Sequence, residues 1–193
     1  MTPPLVLASG SPRRRQLLEM LGLPFRVDVP DVDESYRNGE EPEAYVVRLA
    51  REKAKTVAAR APGELVLGAD TTVVVRGEVL GKPASADEAV AMLAKLQGRT
   101  HQVMTGVALA VDGRIEDALD VTDVTFRPLR APAIEAYVAT GEPMDKAGAY
   151  AVQGLGATLV EGIRGDFFGV MGLPVRLVLE LLERVGRPYR FTR

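Results

Sequence analysis

The sequence predicts a mixed α/β protein in which one sheet of parallel and antiparallel strands is flanked by helices. Segments with strand and helix periodicity alternate through the first half of the chain, and β-rich runs joined by tight turns follow. Hydrophobic residues make up 47% of the chain but aromatic residues only 5%, so a core of Ala, Val and Leu is expected. With 193 residues, we predict one domain over residues 1–193.

Strands and helices are predicted to alternate in the first half of the chain. An apolar run at Leu5–Ala8 leads into a Ser- and Gly-rich turn and a helix, and residues 25–29 form a second strand. Pro42 opens a long helix with five residues at helical spacing on one face: Val46, Leu49, Ala50, Lys53 and Val57. A third strand is predicted over residues 65–75, where the Gly-Ala-Asp triplet ending at Asp70 interrupts an apolar run.

The second half of the chain is predicted to contain both helices and a β-hairpin. Ser85, followed three residues later by Glu88, is a capping-box pattern that starts a helix. Asp112-Gly113 joins two β-rich runs and predicts a hairpin. A short helix is expected at residues 133–139 and an extended segment at residues 150–160. The last helix carries its apolar residues on one face: Leu177, Val178, Leu181, Leu182 and Val185.

Charge and composition exclude several classes of protein. The 24 basic and 26 acidic residues leave a formal net charge of -2, which argues against a long nucleic acid as the main partner. Because Cys is absent, disulfides, thiolate nucleophiles and Cys-based zinc sites are excluded. The N-terminal segment lacks the charged-then-apolar order of a signal peptide, and no apolar run reaches the roughly 18 residues of a membrane span. We therefore expect a cytoplasmic protein without a membrane partner.

The segment SGSPRRR at residues 9–15 is the first candidate binding site. It follows a strand and opens a helix, where free backbone N–H groups bind anions. Three arginines there, Arg13, Arg14 and Arg15, oppose the helix dipole unless an anion is bound. Guanidinium groups also make bidentate bonds to phosphate oxygens. The alternative is a solvated basic turn with ordinary capping by Ser11.

Four carboxylates are candidate ligands for Mg²⁺ or Mn²⁺, which prefer oxygen donors. Asp31, Asp33 and Glu34 lie in an acidic loop, for which an ordinary solvated turn is an alternative. Asp70 differs, because a carboxylate within an apolar strand must be paired, bound to metal or used in chemistry.

Three further features have alternative explanations. The segment around Gly81-Lys82-Pro83 is not a phosphate-binding P-loop. Its lysine, Lys82, is either a cation that binds phosphate or an ordinary turn lysine. His101, the single histidine, begins a β run without a nearby nucleophile motif, so we predict a structural role. The polar, Gly-rich stretch at residues 141–154 is either a functional segment or a long loop.

Four segments together resemble the Maf family of nucleotide pyrophosphatases, in the family's order and spacing. They are SGSPRR at residues 9–14, GADT at 68–71, GKP at 81–83 and GEPMDKAGAYAVQG at 141–154. The resemblance implies a fold with two lobes around a deep cleft, related to inosine-triphosphate pyrophosphatases, and a possible homodimer. It also implies hydrolysis at the α-phosphate of a nucleoside triphosphate.

The resemblance also implies roles for individual residues. Asp70 is the proton acceptor that activates water, and it shares the metal with Glu34. The remaining family positions contribute to substrate binding and specificity: Ser9, Arg13, Arg14, Thr71, Lys82 and Gln153. The stretch at residues 141–154 resembles the branch of the family that acts on dTTP and UTP.

The sequence therefore predicts a metal-dependent hydrolase that releases pyrophosphate from dTTP and UTP. Water attack at phosphorus needs a base and cations around the leaving group, which Asp70, Arg14, Lys82 and a divalent metal would supply. The alternatives are a nucleotide-binding regulator of cell division, which needs no buried base, and a phosphatase that releases inorganic phosphate. We also expect Arg14→Ala to weaken binding without lowering stability, since it removes a cation from a helix N-terminus.

Overall fold

The computed structural model describes residues 5–191 of the chain. Its strands are β1 (Leu5–Ala8), β2 (Phe25–Val27), β3 (Leu65–Val75), β4 (Glu78–Leu80), β5 (Thr100–Val111), β6 (Arg114–Phe126) and β7 (Val160–Arg164). Its α-helices are α1 (Pro12–Met20), α2 (Pro42–Ala58), α3 (Ala86–Leu96), α4 (Ala131–Val138), α5 (Phe167–Val170) and α6 (Val175–Arg184). Short 3₁₀ segments lie at Glu142–Asp145, Ala147–Ala149 and Gly154–Leu159.

The strands form one mixed sheet. Its order is β2-β1-β3-β5-β6-β7, and β4 pairs with β3 outside this path. β1 is parallel to β2 and β3, so Leu5 lies opposite both Phe25 and Leu65. β4 runs antiparallel to β3, and β7 runs antiparallel to β6. The predicted mixed α/β class is confirmed.

The chain divides into two compact units, each built from separate stretches of sequence. The first unit contains residues up to Asp70, Thr105–Asp120 and the residues from Gly172 onward. The second unit contains Thr71–Met104 and Val121–Met171. Because the chain passes repeatedly from one unit to the other, no single cut in the sequence separates them.

The core of the first unit is built from small and branched aliphatic side chains, which let α2 approach the sheet closely. Its buried residues include Val6, Ala8, Ala50, Ala54, Val57, Val66, Ala108 and Ala110. At Gly68 in β3 an added Cβ would lie 2.3 Å from the carbonyl oxygen of Ala50. At Gly106 in β5 it would lie 2.5 Å from the carbonyl oxygen of Val46. Both glycines are therefore needed for the backbone of α2 to pack at this distance.

The core of the second unit contains an aromatic cluster. His101, Phe126 and Tyr150 pack edge to face, with ring centroids 4.7 to 5.4 Å apart. The Nε2 atom of His101 lies 2.8 Å from the Tyr150 hydroxyl, and both side chains are buried. The predicted structural role of His101 is confirmed by these contacts.

The local signals in the sequence were mostly accurate. Ser85 caps α3 by accepting a hydrogen bond from the Glu88 backbone N–H, as predicted. Asp112 and Gly113 have φ values of 48° and 75°, and they form the predicted turn between β5 and β6. The prediction of an extended segment at residues 150–160 is wrong, because Gly154–Leu159 forms a 3₁₀ segment there. Within residues 5–191, no helix has both the length and the apolar character needed to traverse a membrane.

Candidate active site

Asp70 lies in β3 where this strand extends past the end of its neighbour β1. Ala8, the last residue of β1, pairs with Gly68, so Asp70 is two positions beyond this pair. Side chains alternate along a strand, which places Asp70 on the same face as Gly68. Because α2 covers that face at Gly68, the Asp70 side chain is directed toward α2 and is only 7% exposed. The backbone of β3 is continuous through the polar triplet.

Lys53 of α2 joins two of the predicted site residues. Its Nζ atom donates to Asp70 Oδ1 at 2.6 Å and lies 2.6 Å from Glu34 Oε1. Lys53 and Asp70 are buried, whereas the Glu34 side chain is 51% exposed. One buried ammonium group therefore brings a strand carboxylate and a loop carboxylate together.

Burial is the main influence on the acidity of Asp70. It raises the pKa of this carboxyl above the ordinary value, because a charged group is poorly solvated there. The charges of Lys53 and Arg14 lower the pKa, and the nearby negative charge of Glu34 raises it. Asp70 therefore has a raised proton affinity. The positive charges of Lys53 and Arg14 offset part of the cost of burying its carboxylate.

Arg14 lies in the first turn of α1 and is buried. Its Nε donates to the carbonyl oxygen of Gly172 at 2.8 Å, and its Nη1 donates to Ser9 Oγ at 2.9 Å. Burial lowers the pKa of Arg14, while the charges of Asp70 and Glu34 raise it. Arg14 remains a cation at neutral pH, since guanidinium groups do not lose their proton in proteins.

These contacts correct two expectations about the start of α1. A solvated basic turn does not describe Arg14, and the Ser11 side chain makes no capping hydrogen bond. The contacts also argue against the expectation that Arg14→Ala leaves stability unchanged, because the Gly172 carbonyl would lose its bond from Arg14, and Ser9 Oγ would keep only the bond from the Ser11 N–H. Arg13 is half-buried and Arg15 is exposed.

The other predicted site residues occupy less connected positions. Asp31 and Asp33 are exposed, and Asp33 Oδ1 accepts from the Ser35 backbone N–H at 2.9 Å. Over residues 5–191, no group of three or more His, Asp or Glu side chains is arranged to hold a metal ion. The structure thus connects Glu34 with Asp70, through Lys53, and does not gather all four acidic residues.

Thr71, Lys82 and Gln153 belong to the second unit. Thr71 is half-buried, Lys82 is exposed after β4, and Gln153 is half-buried directly before the 3₁₀ segment Gly154–Leu159. The Glu142 carboxylate fixes the start of this segment. It accepts hydrogen bonds from the backbone N–H groups of residues 155 and 156 at 2.9 and 2.8 Å. The roles of Thr71, Lys82 and Gln153 in substrate binding stay predictions.

Lys53 is the site residue that the sequence analysis missed. The helical spacing places it on the apolar face of α2 together with Val46, Leu49, Ala50 and Val57 and indicates no function for it. A lysine between aliphatic residues on a buried helix face is itself a signal, because an unpaired ammonium group is costly to bury. That signal predicts a nearby carboxylate, and Asp70 supplies it.

A buried acid paired with a lysine, and a buried arginine whose charge acts on that acid, are thus brought together in a protein with a mixed sheet. The chain belongs to the family of Maf-like proteins, whose profile matches residues 4–185. The dTTP/UTP pyrophosphatase of Myxococcus xanthus is 57% identical over 185 residues, which cover 95% of this chain and 93% of that protein.

Two other relatives have the same description. The dTTP/UTP pyrophosphatase of Symbiobacterium thermophilum is 52% identical over 95% of both chains. That of Escherichia coli O6:K15:H31 is 55% identical over 93% of this chain and 91% of its own. Among solved structures, the Ham1 protein of Staphylococcus aureus covers 64% of this chain and 71% of its own, with a TM-score of 0.45 and 19% identity.

Proposed function

We propose that this protein hydrolyses dTTP and UTP to the nucleoside monophosphate and pyrophosphate. Membership of the Maf-like family and relatives named dTTP/UTP pyrophosphatase over nearly the whole chain support this reaction. The structural observation that carries the proposal is the contact of Lys53 with both Asp70 and Glu34. A buried base beside two cations suits the attack of water on a phosphate ester or anhydride.

Asp70 is proposed as the general base. A base works best when its pKa approaches the working pH, and burial moves the pKa of Asp70 in that direction. In the reaction, Asp70 takes a proton from water as the water oxygen bonds to the α-phosphorus. The bond from the α-phosphorus to the bridging oxygen breaks, and the pyrophosphate leaves with that oxygen.

Positive charge near the reacting phosphate is the second requirement. Arg14 is already oriented by Ser9 and the Gly172 carbonyl, so little freedom is lost when a phosphate binds. The ammonium group of Lys53 lowers the pKa of Asp70 and so favours its ionised form. We assign Ser9, in the turn before α1, and Lys82 to phosphate binding, and Arg13, in the first turn of α1, to substrate selection.

A divalent cation, Mg²⁺ or Mn²⁺, fits the donor chemistry of Asp70 and Glu34. Mg²⁺ is commonly held by one or two carboxylates, with water and substrate phosphates as the other ligands. When bound, the cation would stabilise negative charge on the phosphate oxygens. Because Lys53 contacts both carboxylates, it also limits their mutual repulsion.

Base selection is assigned to Thr71 and Gln153. The amide of Gln153 can donate and accept hydrogen bonds, which matches the paired donor and acceptor of a thymine or uracil edge. The hydrogen bonds of Glu142 to residues 155 and 156 limit the freedom of the backbone next to Gln153. This arrangement favours a constant position for that amide.

The proposal is tested with a panel of nucleoside triphosphates, including a methylated GTP, assayed with Mg²⁺ and with Mn²⁺. Pyrophosphate and inorganic phosphate are measured separately. We expect dTTP and UTP to be among the best ordinary substrates, with pyrophosphate as the product. Much faster hydrolysis of the methylated GTP would contradict the assigned specificity, and release of inorganic phosphate alone would identify a phosphatase. Nucleotide binding without any turnover would favour a regulatory protein.

A further inference from the structure

The acidic loop, residues 31–41, forms most of the connection between β2 and α2 and carries Glu34. The loop consists of turns and irregular backbone, so the strands of the sheet do not fix its position. Loops of this kind are usually more mobile than helices and strands. Because the Glu34 side chain is half exposed, its contact with Lys53 depends on how the loop backbone is held.

Tyr45, near the start of α2, contacts the loop at Glu34 itself. The Tyr45 hydroxyl donates to the backbone carbonyl oxygen of Glu34 at 2.9 Å. The ring of Tyr45 also packs on Tyr36 of the loop, with centroids 4.8 Å apart. The hydroxyl therefore acts on the backbone from which the Glu34 side chain extends.

Arg48, one helical turn further along α2, holds the rest of the loop. Its Nε and Nη2 atoms donate to the two carboxylate oxygens of Glu40 at 2.6 and 2.7 Å. Its Nη2 also donates to the carbonyl oxygen of Ser35 at 3.2 Å. The Arg48 and Glu40 side chains are only 13% and 10% exposed, so water competes weakly with this bidentate pair.

The same helix supplies the partner of the Glu34 carboxylate. Tyr45, Arg48 and Lys53 all belong to α2, which is held against β3 and β5 by the close contacts at the two glycines. The loop backbone and the Lys53 ammonium group are thus attached to one rigid element. We propose that Tyr45 and Arg48 are positioning residues that hold the acidic loop on α2 and thereby keep the Glu34 carboxylate at Lys53. The importance of this for turnover rests on the proposed function.

The experiment compares Tyr45→Phe and Arg48→Met with two matched controls in the same unit. Tyr189→Phe also removes a hydroxyl that donates to a backbone carbonyl. That carbonyl belongs to Leu21, which lies outside the loop. Arg26→Met also removes a bidentate arginine–carboxylate pair, that with Glu64, together with a longer bond to Asp28 before the loop. For each variant, hydrogen exchange of residues 31–41 is measured together with kcat and KM for dTTP.

We expect faster exchange in the loop of both test variants and unchanged exchange there in both controls. The kcat should fall about three- to tenfold for Tyr45→Phe and about ten- to a hundredfold for Arg48→Met, from the usual strengths of neutral and charged hydrogen bonds. In a Glu34→Gln background, each substitution should lower kcat by less than about twofold, since the positioned group is already lost.

Two results would overturn the proposal. The first is that Tyr45→Phe or Arg48→Met lowers kcat by the same factor in the Glu34→Gln background as in the parent protein. Tyr45 and Arg48 would then not act through Glu34. The other is unchanged hydrogen exchange in residues 31–41 of both test variants. If the parent protein hydrolyses no nucleoside triphosphate, the proposed function fails, and the exchange data alone decide whether Tyr45 and Arg48 hold the loop.

Discussion

Asp70 combines deep burial with a hydrogen bond from a cation, and these two features act on its pKa in opposite directions. Burial alone would favour the neutral acid, and the hydrogen bond from Lys53 at 2.6 Å favours the carboxylate. Arg14 adds a second positive charge nearby, and its guanidinium group is fixed by two bonds to the protein. The residue therefore has both a raised proton affinity and neighbouring cations that preserve its capacity to accept a proton.

We predict that Asp70→Asn reduces single-turnover hydrolysis of dTTP by about 10²–10⁴-fold, the usual contribution of a general base. The amide keeps the size of the side chain but cannot take a proton from water. Nucleotide affinity, measured with and without Mg²⁺, should stay near that of the parent protein. Hydrolysis within a few-fold of the parent rate would show that Asp70 is not the base.

At the scale of the elements, the position of Lys53 depends on how closely α2 approaches the sheet. We predict that Gly68→Ala displaces α2, because the new methyl group would lie 2.3 Å from the Ala50 carbonyl oxygen. The free energy of unfolding should decrease by about 1–3 kcal/mol, the usual cost of overpacking. The kcat for dTTP should also fall, since Lys53 would move relative to Asp70.

Gly162→Ala in β7 is a suitable control for Gly68→Ala. An added Cβ at Gly162 meets no atom within 4 Å, so neither stability nor turnover should change appreciably. Chemical denaturation and steady-state kinetics on both variants provide the comparison. Normal stability of Gly68→Ala would contradict the inferred close packing of α2 on β3.

The elements that the sequence predicted well are those determined by local chemistry. Ser85 and Glu88 form their cap within one helical turn, and Asp112 with Gly113 forms a hairpin turn from backbone preferences alone. The prediction of an extended segment after Tyr150 is wrong. Its 3₁₀ turn is stabilised by hydrogen bonds to Glu142, which lies too far away in sequence for a periodicity analysis to detect.

The same distinction explains which parts of the candidate site were predictable. Asp70 could be identified because a carboxylate interrupts an apolar strand, and that pattern is local. The link from Lys53 to Glu34 and the attachment of the acidic loop by Tyr45 and Arg48 depend on how α2 lies against its neighbours. Without an assembled fold, Tyr45 and Arg48 look like ordinary members of an amphipathic helix, and Lys53 on the apolar face indicates a nearby carboxylate without identifying it.

At the scale of the whole molecule, His101 predicts how stability varies with pH. Burial lowers the pKa of its imidazole from 6.5 to about 4, and its Nδ1 atom has no hydrogen-bond partner among residues 5–191. Below about pH 6.5 the unfolded chain therefore binds a proton that the folded protein resists. The free energy of unfolding should fall by about 3 kcal/mol between pH 6.5 and pH 4 from this residue.

Urea denaturation of the parent and of His101→Gln at pH 7 and pH 4.5 measures this contribution. Carboxylates titrate in both proteins, so the difference between the two pH dependences isolates His101. We expect the variant to be less stable at pH 7, where it loses the packing of the imidazole, but to lose less stability on acidification. Equal losses in the two proteins would show that His101 does not contribute to acid sensitivity.

The discontinuous make-up of the first unit affects when the protein becomes active during its synthesis. Arg14 Nε is held by the carbonyl oxygen of Gly172, a residue 158 positions later. At about 5–20 residues per second, a ribosome needs roughly 8–30 s to make the intervening chain. Until then the arginine lacks this partner, and α6, which also belongs to the first unit, has not been made. A nascent chain on the ribosome therefore carries Asp70, Lys53 and Glu34 long before it can complete the unit that holds them.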